Sequence, residues 1–197
     1  MVMRLVIASL ICAGLAIGSK VSAQRADNIT FDSVVGIWTP TTEDGRRIIT
    51  SDGKAAAAVF PLAVAREIPD VRAGRIRAEF KLISGASDQT AGIVFGLGED
   101  GRYHFGRYNT KDGNVALWTF EKGTRTVLSH GEAHKQLALN EWHDISVTIK
   151  GQTVTVSAAK DTLRATHTFS SPIRGRVGFW TKADSVTAFR GLTVEPR

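Results

Sequence analysis

From Ile29 onward, apolar and polar residues alternate in short runs, and the period of two belongs to half-buried strands rather than helices. In the clearest run, Arg75 to Ile83, Ile76, Ala78, Phe80 and Leu82 share one face, and Arg75, Arg77, Glu79 and Lys81 share the other. The first set is expected in a core and the second on an open face. Asp144 to Lys150 repeats the pattern with Ile145, Val147 and Ile149 inward. A turn at Gly151-Gln152 then leads into Thr153 to Ser157, with Val154 and Val156 inward, which predicts a hairpin. Leu163 to Phe169 is a further partner run.

The middle of the chain holds four runs joined by tight turns: Thr90 to Leu97, Arg102 to Asn109, Asn114 to Phe120 and Arg125 to Ser129. Meander connections place them side by side in one sheet. In the first, both parities are apolar or glycine (Ala91, Ile93, Phe95 against Gly92, Val94, Gly96), which marks a central strand covered on both faces. Glycines at alternate positions also leave room above a sheet for a ligand. Turn dipeptides recur at Asp44-Gly45, Asp52-Gly53, Asp100-Gly101, Asp112-Gly113 and Lys122-Gly123. Short strands so punctuated argue for a sandwich or barrel. No stretch has a sustained helical period; Ala55 to Ala58 is stopped by Pro61 after a turn or two.

The N-terminus reads as a secretion signal. Arg4 precedes an apolar stretch from Leu5 to Ile17, and Val21-Ser22-Ala23 fits a small-x-small cleavage site. The expected organisation is a signal peptide over 1–23 and one β-sandwich domain over 24–197, periplasmic or secreted, with no membrane association after cleavage. Cys12 is the only cysteine and lies within the signal, so cleavage excludes a disulfide, a thiol nucleophile and a thiolate metal cluster. The formal charge of +6 comes from arginines scattered between strands. That scatter, with no recognisable binding module, argues against nucleic acid as a partner.

Chemistry is marked mostly by what is missing. Retaining glycoside hydrolysis needs two carboxylates about 5 Å apart, which alternate strand positions supply. Here Glu141 and Asp144 have odd spacing and Glu79 stands alone on its strand. His130-Gly-Glu-Ala-His134 lacks the glutamate directly after the first histidine that a zinc-protease helix requires, so no metal and no cofactor is expected. Nor does any serine sit in a nucleophile elbow. What remains is a binding surface. If Tyr103 and Phe105 face the core, His104 and Tyr108 share the open face; if Val115 and Leu117 face the core, Trp118 and Phe120 share it on the next strand. Arg77, Glu79, His104, Tyr108 and Trp118 are then the expected ligand-binding set. Aromatic faces suit the C–H side of a sugar ring, and Arg, Glu and His suit its hydroxyls. Glu79 and His104 are the only catalytic candidates. Trp38, Trp142 and Trp180 read as structural.

The stretch Gly175 to Val194 reads as a closing hairpin, with a polar turn at Lys182 to Ser185 between Phe179-Trp180 and Phe189 to Val194. Together with Gly74 to Leu82, Ala91-Gly92-Ile93, Gly101-Arg102-Tyr103 and Glu141-Trp142-His143, it resembles the 3-keto-disaccharide hydrolase-type domain of bacterial secreted proteins. That family lies within the concanavalin A-like lectin/glucanase superfamily, and laminin G-like modules share its skeleton. The resemblance implies an all-β, antiparallel two-sheet jelly roll. It also implies three readings of function: carbohydrate binding on the concave sheet, hydrolysis of a 3-keto-disaccharide or glucoside, or a laminin G-like module with a protein partner. Two departures stand out. Gly191 occupies a place where relatives often carry Asn or Asp, and Ala159-Lys160-Asp161 replaces the common Asn-Gly turn.

Overall fold

The alternating runs become fourteen strands in two seven-stranded sheets in a computed structural model that describes residues 29–196. The expected signal peptide lies outside the described residues. Sheet I contains β1 (Phe31–Val35), β4 (Leu62–Ala65), β13 (Arg176–Trp180), β6 (Thr90–Leu97), β7 (Tyr103–Asn109), β8 (Asn114–Glu121) and β9 (Thr124–His130), in that spatial order. Sheet II runs β12 (Leu163–Thr168), β11 (Thr153–Ala158), β10 (His143–Lys150), β5 (Gly74–Ser84), β14 (Val186–Glu195), β3 (Arg46–Asp52), β2 (Trp38–Glu43). Every strand pairing is antiparallel. The fold is the expected all-β jelly roll.

Inward alternation holds where it was clearest. Ile76, Phe80 and Leu82 of β5 and Ile145, Val147 and Ile149 of β10 are essentially inaccessible, facing Ala91, Ile93, Phe95, Val115 and Leu117 of sheet I. The runs β6 to β9 lie side by side as a meander, and β6 is covered on both faces. Asp44 and Gly45, both at positive φ, close the β2–β3 hairpin as a two-residue turn requires.

The closing pair differs from the expected hairpin. β13 pairs with β4 and β6 in sheet I, whereas β14 pairs with β3 and β5 in sheet II. Residues 181–185 therefore carry the chain from one layer to the other. Phe179 and Phe189, one from each sheet, stack across the core at 4.4 Å. Gly191 sits in a β14 bulge at φ 66, a conformation glycine adopts without a Cβ penalty.

Candidate functional site

The five residues expected to line one surface divide among three places. Arg77 and Glu79 lie on the outer face of sheet II, and Trp118 lies on the outer face of sheet I. Tyr108 is fully buried between the sheets, where its hydroxyl accepts from Leu137 N (2.9 Å) and donates to Lys135 O (2.9 Å). His104 shares that inner side, packed against Phe95 and Phe169. The parity assumed for β7 is thus inverted: Tyr103, Phe105 and Arg107 face outward. Gly106 shows why. A Cβ there would come within 2.7 Å of Val156 on the opposite sheet, so this glycine permits close approach of the layers and leaves no room for a ligand.

Neither catalytic candidate is placed for proton transfer. Glu79 is held by Arg46 (2.7 Å) and Arg190 (3.0 Å). Partial burial opposes its ionisation, but hydrogen bonds and charge from both arginines outweigh that and keep its pKa below the ordinary value. Burial, then the charges of Arg102 and His167, push His104 down to about 4, and its Nδ1 is enclosed without a partner.

Sheet I carries an apolar cluster on the face that a two-sheet sandwich does not need for its core. Leu62, Val64, Val94, Tyr103, Phe105 and Trp180 are buried there, with Phe60, Trp118 and Phe120 against them. Three rings form a row across β13, β7 and β8: Trp180 stacks on Phe105 at 4.0 Å, and Phe105 lies parallel to Trp118 at 6.2 Å. Gly92 gives the Trp180 ring room, since a Cβ there would lie 3.1 Å from the Gly106 carbonyl oxygen and 3.2 Å from the ring. His130 stands edge-on to Trp118 at 5.9 Å.

One end of this row opens into a cavity of about 380 Å³, with polar groups from the strand ends and turns around it. Asp88 accepts from Asn109 Nδ2 (3.1 Å) and pairs with Lys182. Arg107, 6% exposed, donates to Asn114 Oδ1 (2.9 Å) and Asp112 (2.7 Å). Burial lowers the Arg107 pKa, Asp112 opposes that, and Arg125 adds to the lowering by repulsion. The rim is tied down by Asp184, which accepts backbone N–H bonds from Ala86, Ser87 and Asp88 at 2.8–2.9 Å. Lys111 closes the other side by donating to the Ala86 and Ser87 carbonyls. Aromatic walls with a few convergent polar groups are the physical signature of a small-molecule site.

Sequence reasoning reached Trp118 but missed Trp180, Arg107, Asn109, Asp88 and Arg125. The signal for Arg107 and Asn109 was present: they share parity with Phe105, on the side opposite Tyr108. A second cavity, about 270 Å³, opens among Trp38, Phe179, Phe189 and Leu192 beside Ile29. It is mainly a mouth of the hydrophobic core and gathers few polar groups.

No family model matches the chain, and no curated protein does. Solved structures do. A carbohydrate binding module, CBM66, from Bacillus subtilis superposes with a TM-score of 0.69 at 16% identity, covering 85% of this chain and 98% of that one. A protein of unknown function with a galectin-like fold, also from Bacillus subtilis, gives 0.60 at 12% identity over 87% and 92%. A Bacillus licheniformis β-glucanase gives 0.55 at 9% identity over 88% and 96%. The fold is a lectin- and glucanase-like jelly roll. At these identities the likeness concerns the fold alone.

Proposed function

We propose that this protein binds a carbohydrate on the outer face of sheet I and, on the reading of residues 1–23 as a secretion signal, that it does so in the periplasm or outside the cell. The observation that carries the reading is the ring row Trp180–Phe105–Trp118 ending in a pocket edged by Asp88, Asn109 and Arg107. Of the three rings Trp118 is the half-exposed one, seated on the buried Phe105 and Trp180; its face takes the C–H side of a pyranose, and the cationic donors at the pocket edge take the sugar's hydroxyls. The structural likeness to a carbohydrate binding module supports the same ligand class.

Hydrolysis of a glycoside, including a 3-keto-disaccharide, is the second reading, favoured by the likeness to a β-glucanase. The pocket holds two carboxylates, Asp88 and Asp112, and each is already engaged by a cation, Lys182 and Arg107 respectively. That arrangement suits holding a ligand better than donating a proton. A glycan array followed by calorimetry tests the proposal, with release assays on ordinary and 3-keto disaccharides alongside. Trp118→Ala is expected to abolish binding while the protein stays folded, and no sugar is expected to be released. Undiminished binding by this variant would remove the site from this face. Silence across all glycans would leave a protein-interaction module as the better account.

A further inference from the structure

The polar groups around the pocket are unevenly matched. Each acceptor already has an internal partner: Asp88 has Lys182, Asn109 and Thr90, Asp112 has Arg107, the Asn114 carboxamide oxygen has Arg107, and the Asn109 oxygen has the Lys111 amide (2.8 Å). The groups without one are donors. Arg125 has no carboxylate partner among the described residues; its guanidinium is held only by rings, 4.8 Å from Phe60 and 4.9 Å from Trp118. The Trp118 Nε1–H is enclosed without an acceptor among the described residues.

Charge points the same way. Arg107, Arg125, Lys111 and Lys182 surround the cavity, with only Asp88 and Asp112 to offset them. A guanidinium fixed over aromatic faces yet lacking an anion is preorganised for one, since a rigid donor fork loses little entropy on pairing with a carboxylate or sulfate. A neutral sugar hydroxyl would satisfy single donors but would leave the excess charge unanswered.

We propose that the preferred ligand is an anionic saccharide, one carrying a carboxylate or sulfate ester, whose acidic group is received by Arg125 beside Trp118. This rests on the reading of the pocket as a sugar site. The test is calorimetry on the folded protein with three oligosaccharides matched in length: neutral, uronate-containing and sulfated. An anionic ligand is expected to bind about tenfold tighter or more than the neutral one, the scale of one charge-assisted hydrogen bond. The stronger of the uronate and sulfate arms identifies which anion the fork fits. Arg125→Gln is expected to bring the anionic ligand down to the level of the neutral one measured on the same variant, and Arg125→Lys to restore part of the preference; thermal melts confirm that both variants fold. Equal affinity for all three would overturn the anionic preference and leave sugar binding standing. An anionic preference that survives Arg125→Gln would overturn the assignment to this residue. Failure of all three to bind, with a neutral glycan array also silent, would overturn the sugar reading beneath it.

Discussion

On the outer face of sheet II the charges around Trp142 and Asp161 meet their opposites. Glu79 lies between Arg46 and Arg190, Arg75 grips Asp161, and Lys81 reaches Glu43. A tryptophan is present there too, with Arg190 4.0 Å and Lys81 4.8 Å from the Trp142 ring. The outer face of sheet I repeats the motif of a cation over a tryptophan, yet there the cation, Arg125, has rings and no carboxylate. Ring and cation together therefore do not mark a site. What separates the faces is whether the protein's own acceptors finish the arrangement. On sheet II they do, and the result is a closed surface network worth little stability per pair. On sheet I they do not. Cavities lie on both faces: the one of about 810 Å³ on sheet II is edged by Glu79, Arg75 and Asp161, which are already paired, whereas the one on sheet I is edged by Arg125, which has no carboxylate partner among the described residues.

The comparison breaks if the aromatic cluster of sheet I is simply a second core. Phe179 belongs to the true core, stacked on Phe189 and, at 4.9 Å, on Phe31. Phe179→Ala is expected to cost about 3–5 kcal/mol in a urea titration. Trp118→Ala, on a half-buried ring, is expected to cost about 1 kcal/mol or less while eliminating ligand binding. If the two cost the same, the outer cluster is structural and the contrast between faces fails.

The inner side of β7 sharpens the picture through pH. His104 has a folded pKa of about 4, below the ordinary histidine value, so its unfolded form binds the proton first. Its contribution is complete above the unfolded pKa, near 6.5, and is lost as pH falls toward 4, by up to about 3 kcal/mol. His104→Phe, continuing the contacts with Phe95 and Phe169, is expected to flatten that limb in pH-dependent melts. Ligand titrations below pH 6.5 must then be read on a protein that is still folded. A wild-type limb that is already flat would show His104 charging without cost.

What was legible in the sequence follows from how strongly one face of each strand was marked. β5 and β10 carry charges on one parity and aliphatics on the other, so their orientation could be read directly. β7 carries rings on both parities, Tyr103 and Phe105 against Tyr108, and period two cannot rank them. The tie is broken by Gly106, which needs its missing side chain to let Val156 approach, and that requirement exists only once the second sheet is in place. Trp180 was hidden for a related reason. A tryptophan 1% exposed looks structural by any local measure, and its position at the end of a ring row depends on β13 pairing with β6, a contact far apart in sequence. The jump of β13 and β14 between sheets was equally hidden, because a polar turn between two strands looks the same whether the strands pair or part.

Two glycines on neighbouring strands give the next contrast. Gly106→Ala drives a methyl into Val156 and Val147 and is expected to destabilise by about 1–3 kcal/mol, the ordinary cost of overpacking. Gly92→Ala points the other way, 3.2 Å from the Trp180 ring and 3.4 Å from the Arg107 Cβ. It is expected to weaken ligand affinity and to cost less stability than Gly106→Ala. Paired melts and calorimetry check both. A reversed order would place the ligand face on the wrong side of β6 and β7.

The smallest expected effect is the one that most directly tests the closed face. Glu79→Gln removes the carboxylate between Arg46 and Arg190, and with Glu79 and Arg46 partly exposed and Arg190 still held over the Trp142 ring the cost at neutral pH is expected to be about 0–1 kcal/mol. Because the folded pKa of Glu79 is depressed, its contribution is present above the unfolded carboxylate value and disappears as pH falls through the folded one. Wild type and variant should therefore converge in acid and separate toward neutrality. Ligand affinity on sheet I should not move. A fall in affinity would mean that the closed network of sheet II supports the ligand after all, and the two faces would have to be treated as one coupled surface.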